Sequence, residues 1–221
     1  LIPSVREIGL HLDRPALAEA IVDAEETMLR TLRTRGFPFP RMVDRSVIVD
    51  HRAHSVAVTY TVEIGRRAWF GSARIIGLAS VREHAVQAEL PWDEGEPFNG
   101  ELLDKAQQRL YKTGLFALVR VEPIDEIEPD NRVPIKIEVS ERKHRTVAAG
   151  VRYKTDEGGG VQALWEHSNV QGLGRKFTVK GEVSEVRYGV GTSYRVPNFL
   201  RDEQTLALQV EATSESLEAY D

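Results

Sequence analysis

The sequence predicts an α+β chain in which two small units of order strand, helix, helix, strand, strand stand in tandem ahead of a run of antiparallel strands. Three observations predict it. A helix hands over directly to a strand twice, at Arg35-Gly36-Phe37 and at Thr113-Gly114-Leu115, each time through a glycine able to take the left-handed conformation that ends a helix. The return strand of the hairpin that follows alternates in both places: Val56, Val58, Tyr60, Val62 and Ile64 in the first unit, Val133, Ile135, Ile137 and Val139 in the second. From Arg142 onward helical periodicity vanishes, and alternating segments of roughly ten residues are separated by glycine or acidic turns.

In the first unit, Ile8, Leu10 and Leu12 alternate and predict an opening strand within 3–12. Asp13 before Arg14-Pro15 offers an N-cap, and Leu17, Ala20, Ile21, Ala24, Met28 and Leu32 form an apolar helical stripe to about Arg35. Gly36-Phe37-Pro38-Phe39-Pro40 breaks that helix. A strand over 43–50, a polar turn at Asp50-His51-Arg52-Ala53-His54 and a strand over 55–64 complete the unit.

The second unit repeats the order. Residues 68–78 predict a strand, Ser80 a helix cap for a segment reaching Leu90, and 91–97 a loop. In the next helix Leu102, Leu103, Ala106, Leu110 and Tyr111 make one apolar stripe, with Asp104, Lys105, Gln107, Gln108 and Arg109 left to water. Leu115-Phe116-Ala117-Leu118-Val119-Arg120-Val121 is a strand before Pro123. Residues 125–131 turn the chain, and the return strand is expected to begin at Pro134, because proline is awkward inside a central strand. Each unit is expected to place its helices on one face of a three-stranded sheet.

The last segment alternates most cleanly at Phe177, Val179 and Val183 against Lys176, Thr178, Lys180, Glu182 and Ser184, and at Val186, Tyr188, Val190, Tyr194 and Val196 against Arg187, Gly189, Gly191, Ser193 and Arg195. A transmembrane β-barrel needs such segments, apolar toward lipid and polar toward the lumen, and a soluble sandwich alternates in the same way. Periodicity leaves both open.

Composition bounds the function. A chain of 221 residues with 41% hydrophobic content can bury more than one core. With 29 basic against 34 acidic side chains the formal charge is −5, so nothing in the balance recruits a phosphate backbone and nucleic acid is not expected as a partner. There is no cysteine, hence no disulfide or thiolate metal site. No apolar run of about 18 residues predicts a transmembrane helix, and Leu1 does not open a charged-then-apolar signal segment.

Candidate chemical sites are weak beside their bland readings. His51 and His54 flank a hairpin turn with no third ligand nearby, so no metal is expected. Gly158-Gly159-Gly160 and Gly172-Leu173-Gly174 do not lie between a strand and a helix and read as turns rather than phosphate loops, and Asp156-Glu157 as a solvated hairpin tip. No nucleophile, base and orienting acid assemble around His167 and Ser168, so an enzyme is not expected, nor any cofactor. The cluster Arg30, Arg33, Arg35, Arg41 and Arg45 reads as a solvated face, the alternative being contact with an acidic partner or anionic lipid. Trp92 is expected to pack its loop onto the second unit, and Trp165 to sit in an aromatic belt.

The tandem units resemble POTRA domains, the polypeptide-transport-associated repeats. Gly150-Val151-Arg152-Tyr153, the run from Trp165 to Arg175, and Tyr194-Arg195-Val196-Pro197-Asn198-Phe199-Leu200 resemble the opening barrel strands of outer-membrane assembly factors. Within that superfamily, Arg35-Gly36-Phe37-Pro38-Phe39 and Thr113-Gly114-Leu115-Phe116 are most similar to the TamA-like branch. The resemblance implies two POTRA-like βααββ domains over 1–64 and 65–142, and the first strands of an incomplete transmembrane β-barrel over 143–221. It implies an outer-membrane location with periplasmic repeats, insertion or translocation of β-rich client polypeptides, contact with outer-membrane lipid, and a periplasmic or inner-membrane partner protein. The alternatives are a two-partner secretion pore and a soluble β-rich scaffold or adhesion protein. Two edges are the expected client sites, by strand addition: Leu115, Phe116, Ala117, Leu118, Val119, Arg120 and Val121, and Thr146, Val147, Ala148, Ala149, Gly150, Val151, Arg152 and Tyr153. The second is the seam where the resemblance implies clients enter. About five strands cannot close a barrel that needs about eight, so residues 146–213 are expected to form an open meander whose edge pairs outside the chain, with another copy or with further barrel strands.

Overall fold

A computed structural model describes residues 2–12, 15, 17–155, 158–201 and 204–215. In chain order these form α1 (Ala18–Thr34), β1 (Arg41–Asp50), β2 (Ser55–Glu63), β3 (Trp69–Ile76), α2 (Glu83–Gln87), α3 (Gly100–Lys112), β4 (Phe116–Pro123), β5 (Arg132–Glu141), β6 (Arg145–Lys154), β7 (Gly158–Val170), β8 (Arg175–Ser184), β9 (Arg187–Val196) and β10 (Leu206–Glu215). The strands make three sheets, β1-β2, β3-β5-β4 and β10-β9-β8-β7-β6. By packing, the chain divides into two compact units that interleave along the sequence. One is Leu1–Arg74, Pro91–Gln107 and Arg120–Ile137, the other Ile75–Leu90, Gln108–Val119 and Glu138–Asp221.

In the first compact unit, α1 buries Ile21, Ala24, Met28 and Leu32, the stripe read from the sequence. It ends in a Schellman arrangement: Phe37 N–H donates to Leu32 and Gly36 N–H to Arg33, with Gly36 at φ +100. Phe37 then folds back onto Leu32, Met28, Ala24 and Ile8 in one core. The β1–β2 hairpin pairs from Arg41↔Glu63 to Asp50↔Ser55, and Met42, Tyr60, Val62 and Ile64 pack on that core. Trp92 stacks on Phe70 of β3 with centroids 4.7 Å apart, as its loop was expected to pack.

Several expectations fail here. The opening strand is absent: Val5–Gly9 form turns whose amides are satisfied locally, Ile8 N–H by Ser4, Gly9 N–H by Arg6 and Leu10 N–H by Val5. Only Ile8 of the alternating trio is buried, so the first sheet has two strands rather than three among the described residues. The Asp13 cap lies outside the described residues; α1 begins at Ala18 with Leu17 at its N-cap position. Pro134 does not start β5 but sits inside it, buried, in the central strand of its sheet. Its carbonyl accepts from Ile124 N–H. Opposite, Gly71 leaves room for the Val133–Pro134 backbone, where a Cβ would come within 3.0 Å of Val133.

In the second compact unit, Gly77 runs against the Val139 carbonyl so closely that any side chain would collide with it. Helix α2 is a short turn from Glu83 with Arg82 at its N-cap, not a Ser80-capped helix to Leu90, because Ser80 is engaged elsewhere. The meander pairs antiparallel throughout, β6 with β7 from Arg145↔His167 to Lys154↔Gly158, and β9 with β10 over ten residue pairs. Gly158, Gly159 and Gly160 open β7 instead of forming a turn, and the Asp156-Glu157 tip lies outside the described residues.

The burial of β5 carries a direct test. Ile137 is fully buried whereas Ile48 on β1 is 64% exposed. Ile137→Asp is expected to cost more than about 3 kcal/mol and to unfold its domain, while Ile48→Asp changes stability by less than about 0.5 kcal/mol. Urea denaturation of the two variants reads the difference.

Candidate functional site

Three features stand out: two sheet edges, a two-faced sheet, and a buried polar joint. Both edges named from the sequence lie at edges. β4 flanks β5 at one side of its sheet and β6 ends the five-stranded sheet, bonded within the described residues to β7 alone. They are not equivalent. Leu115, just before β4, and Phe116, Val119 and Val121 on it are buried while Ala117, Leu118 and Arg120 are exposed. The Val119 N–H is already used, donating to the Tyr111 hydroxyl of α3 at 3.1 Å. On β6, Thr146, Val147, Ala148, Ala149, Val151 and Tyr153 are exposed and Gly150 and Arg152 half-buried.

The pairing registers assign every side chain of the meander to a face. One carries Val147, Ala149, Val151 and Tyr153 of β6, and Val161, Ala163 and Trp165 of β7. It continues through Phe177, Val179 and Val183 of β8, Val190 and Tyr194 of β9, and Leu208 and Val210 of β10. Trp165, Phe177 and Tyr194 meet edge to face in a row, 6.1 and 6.5 Å between centroids, at the end nearest the β7–β8 turn. Where the side chains shorten to Ala149, Ala163, Gly181 and Ala212 the face dips into a hollow of about 940 Å³. The opposite face is charged. Glu182 stands 3.4–3.7 Å from Arg152, Lys180 and Arg187, and Lys176 pairs with Glu166 at 2.8 Å.

The joint was not legible in the sequence. Glu141, the last residue of β5, accepts hydrogen bonds from the backbone N–H of Ala79 (2.7 Å), Ser80 (2.9 Å) and Val81 (2.9 Å), and from the Ser80 hydroxyl (2.6 Å). His144 Nε2 adds a fifth contact at 3.0 Å. Ser80 in turn accepts from Asn169 Nδ2 (3.3 Å), whose Oδ1 accepts from Gly174 N–H (3.1 Å). Arg82 N–H donates to the Gly172 carbonyl at 2.8 Å. Gln171, Gly172 and Gly174 all take positive φ, and a Cβ on Gly172 would strike the Ser80 carbonyl and the Arg82 side chain. The β7–β8 turn is thereby seated on the loop 79–82. The only hint in the sequence was the Asn169…Gly172…Gly174 spacing of a tight turn; its partners lie some 90 residues away and leave no local mark.

Burial of Glu141 by itself would raise its pKa. The donors from Ser80, Ala79, Val81 and His144 outweigh that and hold it at about 2. Elsewhere three of the five clustered arginines are tied to carboxylates, Arg35 to Glu7, Arg45 to Glu25 at 2.9 Å and Arg41 to Asp125 at 3.3 Å, which suits a solvated face. His51 and His54 are exposed at the β1–β2 tip.

The POTRA family, described as surface antigen variable number repeat, matches residues 70–142. The outer membrane protein assembly factor BamA of Nitratidesulfovibrio vulgaris is 24% identical over 144 residues, 65% of this chain and 18% of the relative. BamA of Buchnera aphidicola is 21% identical over 131 residues, 59% of this chain and 21% of that one. Residues 70–142 carry a POTRA repeat. The chain spans about a fifth of the length of these curated relatives. The likeness to TamA in particular rests on the junction motifs alone. Among solved structures, BamA from Haemophilus ducreyi lacking POTRA domains 1–3 superposes with a TM-score of 0.83 over 96% of this chain and 40% of that one, at 21% identity. CdiB from Acinetobacter baumannii does so at 0.51 over 95% and 39%, at 13% identity. Both show the fold alone, a small α+β repeat running into an antiparallel sheet.

The low pKa of Glu141 has a pH signature. With a folded pKa below the ordinary 4.5, ionisation favours the folded state above pH 4.5, and that contribution is lost as pH falls toward 2. After solvent screening it is on the order of 1–2 kcal/mol. Denaturant midpoints of the unaltered chain and Glu141→Gln are expected to differ at pH 7 and to converge near pH 2.

Proposed function

We propose that this chain is the repeat-to-barrel portion of an outer-membrane assembly or translocation factor that receives β-rich client polypeptides by strand addition. In this reading POTRA-like domains occupy residues 1–64 and 65–142, and residues 143–221 are the first strands of a transmembrane barrel. The observation that carries it is the combination of a continuous apolar sheet face with an edge strand, β6, that among the described residues pairs with β7 alone. An apolar face of that extent suits lipid, the charged face suits a water-filled lumen, and the aromatic row at Trp165, Phe177 and Tyr194 suits a membrane interface. A soluble sandwich would need a second sheet on the apolar face, and Val147, Val151 and Val210 are at least 70% exposed.

The chemistry requires no catalytic residue. An edge strand offers N–H and C=O groups at a fixed spacing, and an extended client supplies the complementary set. Of the two candidate edges, β6 is the better receiver, because on β4 a client must displace Tyr111 from Val119. The pairing tolerates different client sequences because the backbone supplies the bonds. The CdiB likeness keeps a secretion pore as the second reading, with the lower superposition score.

A photocrosslinker at Val147 or Val151 of the membrane-embedded protein is expected to capture an unfolded outer-membrane client, and one at Val190 of the interior strand β9 is not. Equal capture at all three positions would mean adsorption to the apolar face and defeat strand addition. Tyr111→Phe, which frees the Val119 N–H, is expected to raise capture at Leu118 severalfold, as loss of one hydrogen bond of about 1 kcal/mol allows; unchanged capture would remove β4 from the proposal.

A further inference from the structure

β6 leaves β5 through only Arg142, Lys143 and His144, a linker short enough to act as a hinge. Both its ends are tied. The Arg142 N–H donates to the Leu115 carbonyl at 2.8 Å and its Nε to the Phe116 carbonyl at 2.9 Å. The His144 ring meets Glu141, and its carbonyl accepts from the Ser168 N–H at 2.8 Å and hydroxyl at 3.3 Å. Ser168 is followed by Asn169, which bonds Ser80, which bonds Glu141. The linker, the loop 79–82 and the β7–β8 turn thus close on one carboxylate, with Glu141 and His144 side chains only 9% and 10% exposed.

We infer that Glu141 is a positioning residue that sets the direction in which the open edge of β6 faces. It holds the loop through three consecutive amides, and through Ser80 and Asn169 it holds the turn that joins β7 to β8, so the hairpin carrying the receiving edge cannot swing about the linker. An edge aligned in advance spares an incoming strand the cost of ordering it. The role rests on the reading of β6 as the receiving edge.

Amide exchange on the full chain in detergent micelles, together with client capture at Val151, tests it. The N–H groups of Arg82, Ser168 and Gly174 report on the joint without bonding to Glu141. In Glu141→Ala they are expected to exchange about tenfold faster, with the β5 amides of Ile135 and Ile137 unchanged, and capture at Val151 is expected to fall. Asn169→Ala, which cuts the network from the other side, is expected to loosen Arg82 and Gly174 and lower capture while Ala79 and Val81 stay protected by Glu141. Free exchange confined to Ala79, Ser80 and Val81 in Glu141→Ala would overturn the inference by making the contact local. So would undiminished capture from a loosened joint. If the unaltered chain captures no client, the receiving-edge reading falls, and the positioning of a receiving edge falls with it; the exchange pattern then still separates a cooperative joint from a local contact.

Discussion

The carboxylate of Glu141 is the interaction on which the rest of the second compact unit depends. Three consecutive backbone amides need an acceptor, and a carboxylate whose side chain is only 9% exposed would be costly to leave without donors. Each solves the other's problem, and the solution draws in the Ser80 hydroxyl and the Asn169 amide. Ser80 does not cap a helix as its sequence position suggests, because its hydroxyl and N–H already serve Glu141. The short α2 and the seated β7–β8 turn follow from the same arrangement.

The meander achieves order by a different route. Its backbone is satisfied strand to strand, and its side chains divide by parity into an apolar face and a charged one. On the charged face Glu182 sits among three cations, which stabilises a carboxylate that neighbouring strands half cover. The apolar face has no such internal compensation. In the proposed barrel reading that asymmetry is intelligible: a bilayer would replace the second layer that a soluble sheet requires.

The two sheet edges illustrate how similar backbone can differ in availability. β4 lies beside a helix whose Tyr111 hydroxyl takes up the Val119 donor, a side-chain cover of the kind that keeps edge strands from pairing indiscriminately. β6 carries exposed small and apolar residues along its length. Sequence pattern treated the two as equals, since a strand's periodicity reports which face is apolar and says nothing of what stands beside its edge.

The sequence by itself determined the elements whose signals are local. The α1 stripe, the Gly36 and Gly114 terminations, the alternation of β5 and the parity of β8 and β9 all follow from side-chain periods of 3.6 and 2 and from glycine's access to positive φ. Tertiary structure decided what depends on distant partners. Ile8, Leu10 and Leu12 alternate like a strand but form none, since the Ile8 and Leu10 amides found local acceptors, Ile8 entered the core and Leu10 packed half-buried against it. Pro134 entered a central strand because Gly71 gave its backbone room. The joint among Glu141, Ser80 and Asn169 required three segments to meet, and hydrogen bonds between residues 61 and 89 positions apart have no periodicity from which they could be read.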